Sequence, residues 1–192
     1  MKFKTLMVTA VAAFLSMTSC AQQKKENAMT ETKGNNKVLV AYFSATGTTK
    51  RAATELADVM GGTLYEITPE TPYTTADLDW TDKNSRSTIE MKDKTSRPAI
   101  KGKVEDIDNY DTVFLGYPVW WYVAPTIINT FVESNDLKGK TVICFATSGG
   151  SPVKPCVDSL RVQYPDINWT EGKLLNRVSK ADLLDWKKSL GL

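Results

Sequence analysis

A loop rich in hydroxyl groups follows the first apolar run of the chain and opens a predicted helix. Hydroxyls, backbone N–H groups and the positive end of a helix dipole can hold a dianionic phosphate without a lysine or a metal ion. Because hydroxyl-rich turns also cap ordinary helices, neighbouring loops must decide between the two interpretations. The loop consists of Ser44, Ala45, Thr46, Gly47, Thr48 and Thr49.

This hydroxyl loop lacks the signatures of two common nucleotide-binding folds. No Lys-Ser/Thr pair follows its glycine, which argues against the P-loop of a nucleoside triphosphatase. The pattern G-x-G-x-x-G is also missing, so a Rossmann dinucleotide site is poorly supported. The loop therefore predicts a phosphate-bearing ligand of another class.

A second candidate loop, after the third predicted strand, contains four aromatic residues between positions 117 and 122. Some of them could pack beneath the following helix, but all four are hard to place in a core. Adjacent tryptophans in a loop favour a stacking wall for a flat ring. The candidate contact residues are Pro118, Val119, Trp120, Trp121 and Tyr122.

A third loop, at residues 147–152, follows the fourth predicted strand and is small and glycine-rich. Backbone of this kind can approach a flat ring closely. In an open parallel sheet, the loops after strands one, three and four would meet at the edge where ligands bind. The candidate contact residues here are Thr147, Ser148, Gly149 and Gly150.

The elements that would position these loops are five apolar segments rich in β-formers, at residues 37–43, 63–67, 112–117, 141–146 and 168–175. The runs VLVAYF, TVFLGY and TVICFA are nearly continuous, as in central parallel strands that are covered on both faces. Helical patterns lie between strands: one ends at Gly61-Gly62, one starts at Pro125 and one opens at Ser179. This alternation predicts an α/β fold with a doubly wound, open parallel sheet.

Residues 68–110 interrupt the alternation with a long polar stretch that contains Pro69, Pro72 and Pro98. We expect one surface helix within it. A connection of this length is either a lid or binding element, or a solvated surface insertion.

Together, the three loops resemble those of the flavodoxin family. The family's phosphate signature, T/S-x-T-G-x-T, is matched by Ser44, Thr46, Gly47 and Thr49, and PVWWYVAPT and FATSGGSP are similar to its two isoalloxazine loops. The resemblance runs from about Lys37 to the C-terminus and is closest to the bacterial branch with a Trp-Trp loop. It implies a five-stranded sheet of order 2-1-3-4-5 and noncovalently bound FMN.

The chain departs from the family pattern in two ways. The second ring loop of many flavodoxins carries a tyrosine over the outer face of the flavin, whereas residues 147–152 contain no aromatic residue. Flavodoxins are usually strongly acidic. Removal of Lys2 and Lys4 with a signal segment would change 24 basic against 22 acidic residues to 22 against 22, a formally neutral chain.

The resemblance implies an electron carrier whose protein part supplies no catalytic residue, with Trp120 or Trp121 stacked on the flavin. The uncovered flavin face suggests an alternative, an FMN-dependent NAD(P)H:quinone or nitro/azo reductase. A third possibility is a binding protein that kept the fold without the flavin. The expected partner is a redox protein or a quinone-like small molecule.

The N-terminus resembles a bacterial lipoprotein signal. Residues 1–19 combine a basic start with an apolar run that is too short to span a bilayer, and Cys20 and a polar stretch follow. We expect a signal peptide at 1–19, acylation of Cys20, a flexible tether at 20–36 and one domain at 37–192. The protein would then lie in the cell envelope, lipid-anchored on the periplasmic side of a bacterial membrane; a plain secretory signal is the alternative.

Composition excludes several other chemistries. The sequence contains no histidine, which rules out Ser-His-Asp and Cys-His catalysis. No basic stripe alternates with aromatics, so we expect no nucleic-acid binding and membrane attachment only through lipid. Cys144 and Cys156 match no metal-site spacing, and we expect free, buried thiols.

Overall fold

Five parallel strands form the sheet in the computed structural model, which describes residues 37–192. Their order is β2-β1-β3-β4-β5, as predicted, and every neighbouring pair is parallel. Each strand differs from its predicted bounds by no more than one residue at either end. The strands are β1 Val38–Tyr42, β2 Thr63–Glu66, β3 Thr112–Pro118, β4 Thr141–Thr147 and β5 Asn168–Leu174.

Within residues 37–192, five α-helices accompany the strands. Helix α1 ends at Met60 and is capped by Gly61, whose φ of 68° is the left-handed conformation expected there. Helix α5 opens with a capping box between Ser179 and Asp182. Pro125 is not the first residue of α3 as predicted, because its ψ of 144° is extended and the helix begins one residue later. The helices are α1 Thr48–Met60, α2 Arg86–Lys92, α3 Thr126–Ser134, α4 Lys154–Gln163 and α5 Lys180–Ser189.

Helix α4 is not among the helices that the sequence predicted. Only Cys156, Val157 and Leu160 of its ten residues are buried, so its apolar stripe is short. The proline next to its first residue also resembles a loop signal when it is read locally, although proline is well tolerated in the first turn of a helix.

The sheet separates two apolar cores. Every residue of β1 is buried, and successive residues alternate between the faces: Leu39 packs with α3 and α4, and Val40 packs with α1 and α5. On β3, Gly116 lies against the Phe145 ring of β4, where an added Cβ would come within 2.1 Å of a ring carbon. This close approach lets the aromatic side chain fill the core between the central strands.

The insertion at residues 68–110 contains α2, as one surface helix was predicted, and also two 3₁₀ turns, Ala76–Leu78 and Ile107–Asn109. Pro69 and Ile100 form an isolated antiparallel bridge across its base. Arg97 pairs with Glu133 of α3 at 2.8 Å. The insertion is therefore packed on the domain and is not a free loop.

The predicted signal peptide, Cys20 and the tether at residues 20–36 lie outside the described residues. Between residues 37 and 192, no helix combines the length and apolar character needed to cross a membrane.

Candidate functional site

The loops after β1, β3 and β4 meet at the carboxyl edge of the sheet and enclose two adjoining cavities. The aromatic cavity, of about 450 Å³, is lined by Ala45, Thr46, Thr49, Leu78, Trp80, Ser87, Pro118, Val119, Trp120, Trp121, Tyr122, Thr147 and Ser151. The glycine cavity, of about 320 Å³, is lined by Thr46, Thr48, Pro118, Val119, Trp120, Thr147, Ser148, Gly149 and Asn176. Of the predicted contact residues, only Ser44, Gly47 and Gly150 line neither cavity.

The hydroxyl loop leaves the start of α1 uncapped. The backbone N–H of Gly47 donates to Ser44 Oγ at 3.1 Å, which closes the turn, and Gly47 adopts a φ of 86°. The first helical bond is donated by Arg51, so the N–H groups of the preceding three residues have no partner within residues 37–192. With no acidic residue in the first turn, these donors form an uncharged anion cradle of the kind that suits a phosphate.

The two threonines of the phosphate signature lie in different environments. Thr46 is exposed, and its hydroxyl lies 3.5 Å from that of Thr48 at the rim of the cradle. Thr49 is buried, and its hydroxyl forms a 2.8 Å hydrogen bond with the hydroxyl of Thr147 at the end of β4. Thr49 therefore ties the hydroxyl loop to the glycine loop, and Thr46 has the more accessible hydroxyl.

The glycine loop is shaped by Ser148 and Asn176. Ser148 Oγ accepts from the backbone N–H of Gly150 at 3.1 Å and of Ser151 at 2.7 Å. Asn176 accepts from Ser148 N–H at 2.8 Å and donates to the Ser148 carbonyl. The N–H of Gly149 has no partner in the described part of the chain, so it is the glycine donor that remains available to a ligand.

The aromatic loop is a tight hairpin. Trp120 and Val123 exchange both backbone hydrogen bonds at 3.0 Å, and Trp121 and Tyr122 form the two-residue turn between them. Both turn residues have positive φ, 46° and 68°, as in a type I′ turn, which favours Asn and Gly. Such backbone strain in bulky residues costs on the order of 1–3 kcal/mol per residue and is typical of functional sites.

Trp120 is held in place by the ring edges of its neighbours. The centre of the Trp120 ring lies 5.7 Å from the centre of the Phe43 ring and 5.5 Å from that of the Tyr73 ring, and both pairs are edge-on. Tyr73 belongs to the insertion and donates a 2.5 Å hydrogen bond to Glu90, and the guanidinium of Arg86 lies 3.9 Å from its ring centre. Burial, with Glu90 beside the hydroxyl, raises the pKa of Tyr73 far above its usual range, so it stays a donor.

Five lining residues were not predicted from the sequence. Leu78, Trp80 and Ser87 come from the insertion, and Ser151 and Asn176 follow β4 and β5. Ser151 directly follows Gly150, the last residue of the glycine loop that was predicted as a contact. Trp80, a tryptophan within a polar segment, was a sequence signal that the insertion contributes to the site. No local pattern indicated Asn176.

The two cysteines within residues 37–192 supply no nucleophile. Cys144 and Cys156 are free and buried, as expected. Burial raises the pKa of Cys156 to about 11 and that of Cys144 to about 12, so both stay protonated at neutral pH. Among residues 37–192, no group of three or more His, Cys, Asp or Glu side chains could hold a metal ion.

Comparison with known proteins decides the family. The family profile described as flavodoxin matches residues 37–190. The chain belongs to the flavodoxin family. The chain is similar to crystal structures of proteins assigned as flavoproteins from two Bacteroides strains. The protein of Bacteroides eggerthii DSM 20697 has 56% identity and a TM-score of 0.79, and that of Bacteroides uniformis ATCC 8492 has 54% identity and a TM-score of 0.77. These matches cover 81% and 80% of this chain and 98% of each of theirs.

A more distant structural relative was crystallised with FMN. This flavoprotein of Lactobacillus acidophilus NCFM is 25% identical to the chain, with a TM-score of 0.58. The match covers 72% of this chain and 93% of the Lactobacillus protein. No curated protein sequence gives a significant match. The family assignment therefore rests on the profile and on the solved structures.

The strained turn predicts an unusual stability effect. Because asparagine tolerates positive φ and Tyr122 is 67% exposed, Tyr122→Asn should raise the free energy of unfolding by about 0.5–1 kcal/mol. Urea unfolding of the ligand-free protein measures the change. Trp80→Asn is the matched control, since Trp80 is 73% exposed and lacks positive φ. If Trp80→Asn raised the free energy of unfolding as much as Tyr122→Asn does, turn strain would not be the cause of the increase.

Proposed function

We propose that residues 37–192 bind FMN noncovalently and that the protein serves as an electron carrier. The observation that carries this proposal is the convergence of an uncharged anion cradle and an aromatic wall at one edge of the sheet. The FMN complex of the Lactobacillus acidophilus flavoprotein, which shares the fold, supports it.

In this proposal the phosphate binds at the start of α1. Thr46 and Thr48 contribute hydroxyls, and the unpaired N–H groups of the first turn contribute donors, at a helix end that favours negative charge. The ring system lies against the aromatic hairpin, and Gly149 offers its free N–H. Thr49 positions the site indirectly, because its hydrogen bond with Thr147 fixes the distance between the hydroxyl loop and the glycine loop.

FMN would supply all of the redox chemistry, because it can accept and release electrons in one- or two-electron steps. The protein's own residues bind and orient the flavin and limit its contact with water. Trp120 is the best-positioned ring, because Phe43 and Tyr73 hold it, whereas Trp121 and Tyr122 extend into solvent from the strained turn.

An FMN-dependent reductase is the second candidate. The observation that favours it is the size of the aromatic cavity, which extends beyond the three flavin loops to the insertion. The electron acceptor would then be a quinone-like small molecule, whereas the carrier would pass electrons to a redox protein. The two proposals differ in whether a nicotinamide cofactor reduces the flavin during turnover.

We further propose that the protein is exported and lipid-anchored through Cys20, on the periplasmic side of a bacterial membrane. The support is the sequence alone: a basic start, an apolar run at residues 6–15 and a polar stretch at 21–36. Several acyl chains on one residue anchor a protein stably, because each buried methylene adds about 0.8 kcal/mol. No nucleic acid is expected as a partner.

Purified protein should show the visible absorption of bound oxidised flavin. Thr46→Ala should weaken FMN binding roughly 10- to 150-fold, since a hydrogen bond to a charged group contributes about 1.5–3 kcal/mol. Flavin fluorescence quenching measures the affinity. Thr54→Ala is the matched control, because Thr54 is exposed on α1 and bonds only to the carbonyl of Lys50. Equal affinities for the two variants would refute the proposed phosphate site.

NADH oxidation separates the carrier from the reductase. For the carrier, FMN-loaded protein with 2,3-dimethyl-1,4-naphthoquinone should oxidise NADH no faster than the same concentration of free FMN. The physical reason is that no cationic side chain lines the aromatic cavity to bind a dinucleotide pyrophosphate. Saturable oxidation well above the free-flavin rate would reject the carrier in favour of the reductase.

Cys20→Ser should move the protein from the membrane fraction to the soluble envelope fraction when it is expressed in a bacterium, because serine cannot accept the lipid through a thioether. Immunoblots of the fractions measure the distribution. Cys156→Ser, which changes a cysteine that is buried in the domain, is the matched control. Membrane retention of Cys20→Ser would disprove lipid attachment at this residue.

A further inference from the structure

The insertion contributes wall residues to the aromatic cavity that the FMN proposal does not use. Leu78, Trp80 and Ser87 line the cavity but belong to none of the three flavin loops. Trp121 and Tyr122 of the strained turn line the same cavity. These five residues define what we call the insertion compartment.

Ser87 is the unexplained group of this compartment. Its side chain is 2% exposed, and its Oγ has no hydrogen-bond partner within residues 37–192. The neighbouring hydroxyls of Ser85 and Thr88 are satisfied, since they bond to each other at 2.9 Å. A buried hydroxyl without a partner destabilises a fold unless a ligand or an ordered water accepts a hydrogen bond from it. Of the buried hydroxyls that lack a partner within residues 37–192, only that of Ser87 belongs to a residue that lines the aromatic cavity, so Ser87 is the candidate donor to a ligand there.

The remaining walls of the compartment favour a flat, apolar ligand. Trp80 is 73% exposed, Trp121 43% and Tyr122 67%, so three large rings at one cavity are uncovered. Aromatic rings gain free energy when they stack on another flat ring and lose water. Leu78 adds an aliphatic contact.

Three charged side chains close to the compartment residues in the chain, those of Asp77, Arg86 and Glu90, already have hydrogen-bond partners. Arg86 and Glu90 of α2 bond to each other at 2.6 Å, and Asp77 accepts from both the backbone and the hydroxyl of Thr74. Every side chain that lines the aromatic cavity is uncharged. Burial in such a site disfavours a charged ligand, so a neutral molecule is a better occupant than a dinucleotide.

We propose that the insertion compartment binds a neutral, planar molecule of the quinone class, with Ser87 Oγ–H donating to a quinone carbonyl oxygen. Trp80 and the turn aromatics cover the faces of the ring. The inference rests on the FMN binding proposed above, and it makes the electron acceptor a quinone in place of the redox protein that a carrier would serve. Ser87 is a specificity-determining residue in this arrangement.

The test is equilibrium dialysis of 2,3-dimethyl-1,4-naphthoquinone against oxidised, FMN-loaded protein. Its blocked ring positions prevent addition of thiols. Ser87→Ala should weaken quinone binding about two- to tenfold without changing the affinity for FMN. Thr130→Val is the matched control, because Thr130 Oγ1 is also buried without a partner but lies on α3 outside the aromatic and glycine cavities.

Each failure has its own signature. Undetectable quinone binding, or the same affinity in wild type and Ser87→Ala, overturns the compartment. Loss of FMN affinity in Ser87→Ala overturns it as well, since the cavity would then belong to the flavin alone. Displacement of the quinone by NADH contradicts a neutral ligand. A wild-type protein that cannot be loaded with FMN refutes the proposed function instead, and dialysis against that protein then tests the compartment by itself.

Discussion

The parallel pairing of β1, β3 and β4 is the constraint on which the rest of the site depends. Because these strands run in the same direction, the loops that follow them must emerge at one edge of the sheet. The order β2-β1-β3 also sends the chain in opposite directions after β1 and β3, which opens a crevice between them. The Thr49–Thr147 hydrogen bond then fixes the first loop to the last at 2.8 Å.

The insertion changes the character of this crevice. Tyr73 of the insertion packs edge-on against Trp120 and is itself held by Glu90 and Arg86. The orientation of Trp120 thus depends on a segment about 45 residues earlier in the chain. The insertion at residues 68–110 is therefore a structural part of the site and not a solvated surface loop.

The sheet and the three loops could be predicted because their signals are local. Continuous apolar runs mark β1, β3 and β4, and the hydroxyl, aromatic and glycine loops follow them directly. The missed features depend on contacts between distant segments. Neither the pairing of Thr49 with Thr147 nor the approach of Trp80 and Ser87 leaves a periodic pattern in the sequence. Helix α4 was missed because three buried residues give too short a stripe.

Two kinds of local destabilisation occur at the same cavity, and they have a common explanation. Trp121 and Tyr122 adopt backbone angles that favour asparagine and glycine, and Ser87 buries a hydroxyl without a partner. Neither feature improves the packing of the ligand-free domain. Both costs are offset when a flat ligand covers the rings and accepts a hydrogen bond from Ser87. At this cavity the departures from local rules therefore coincide with the walls that a ligand would contact.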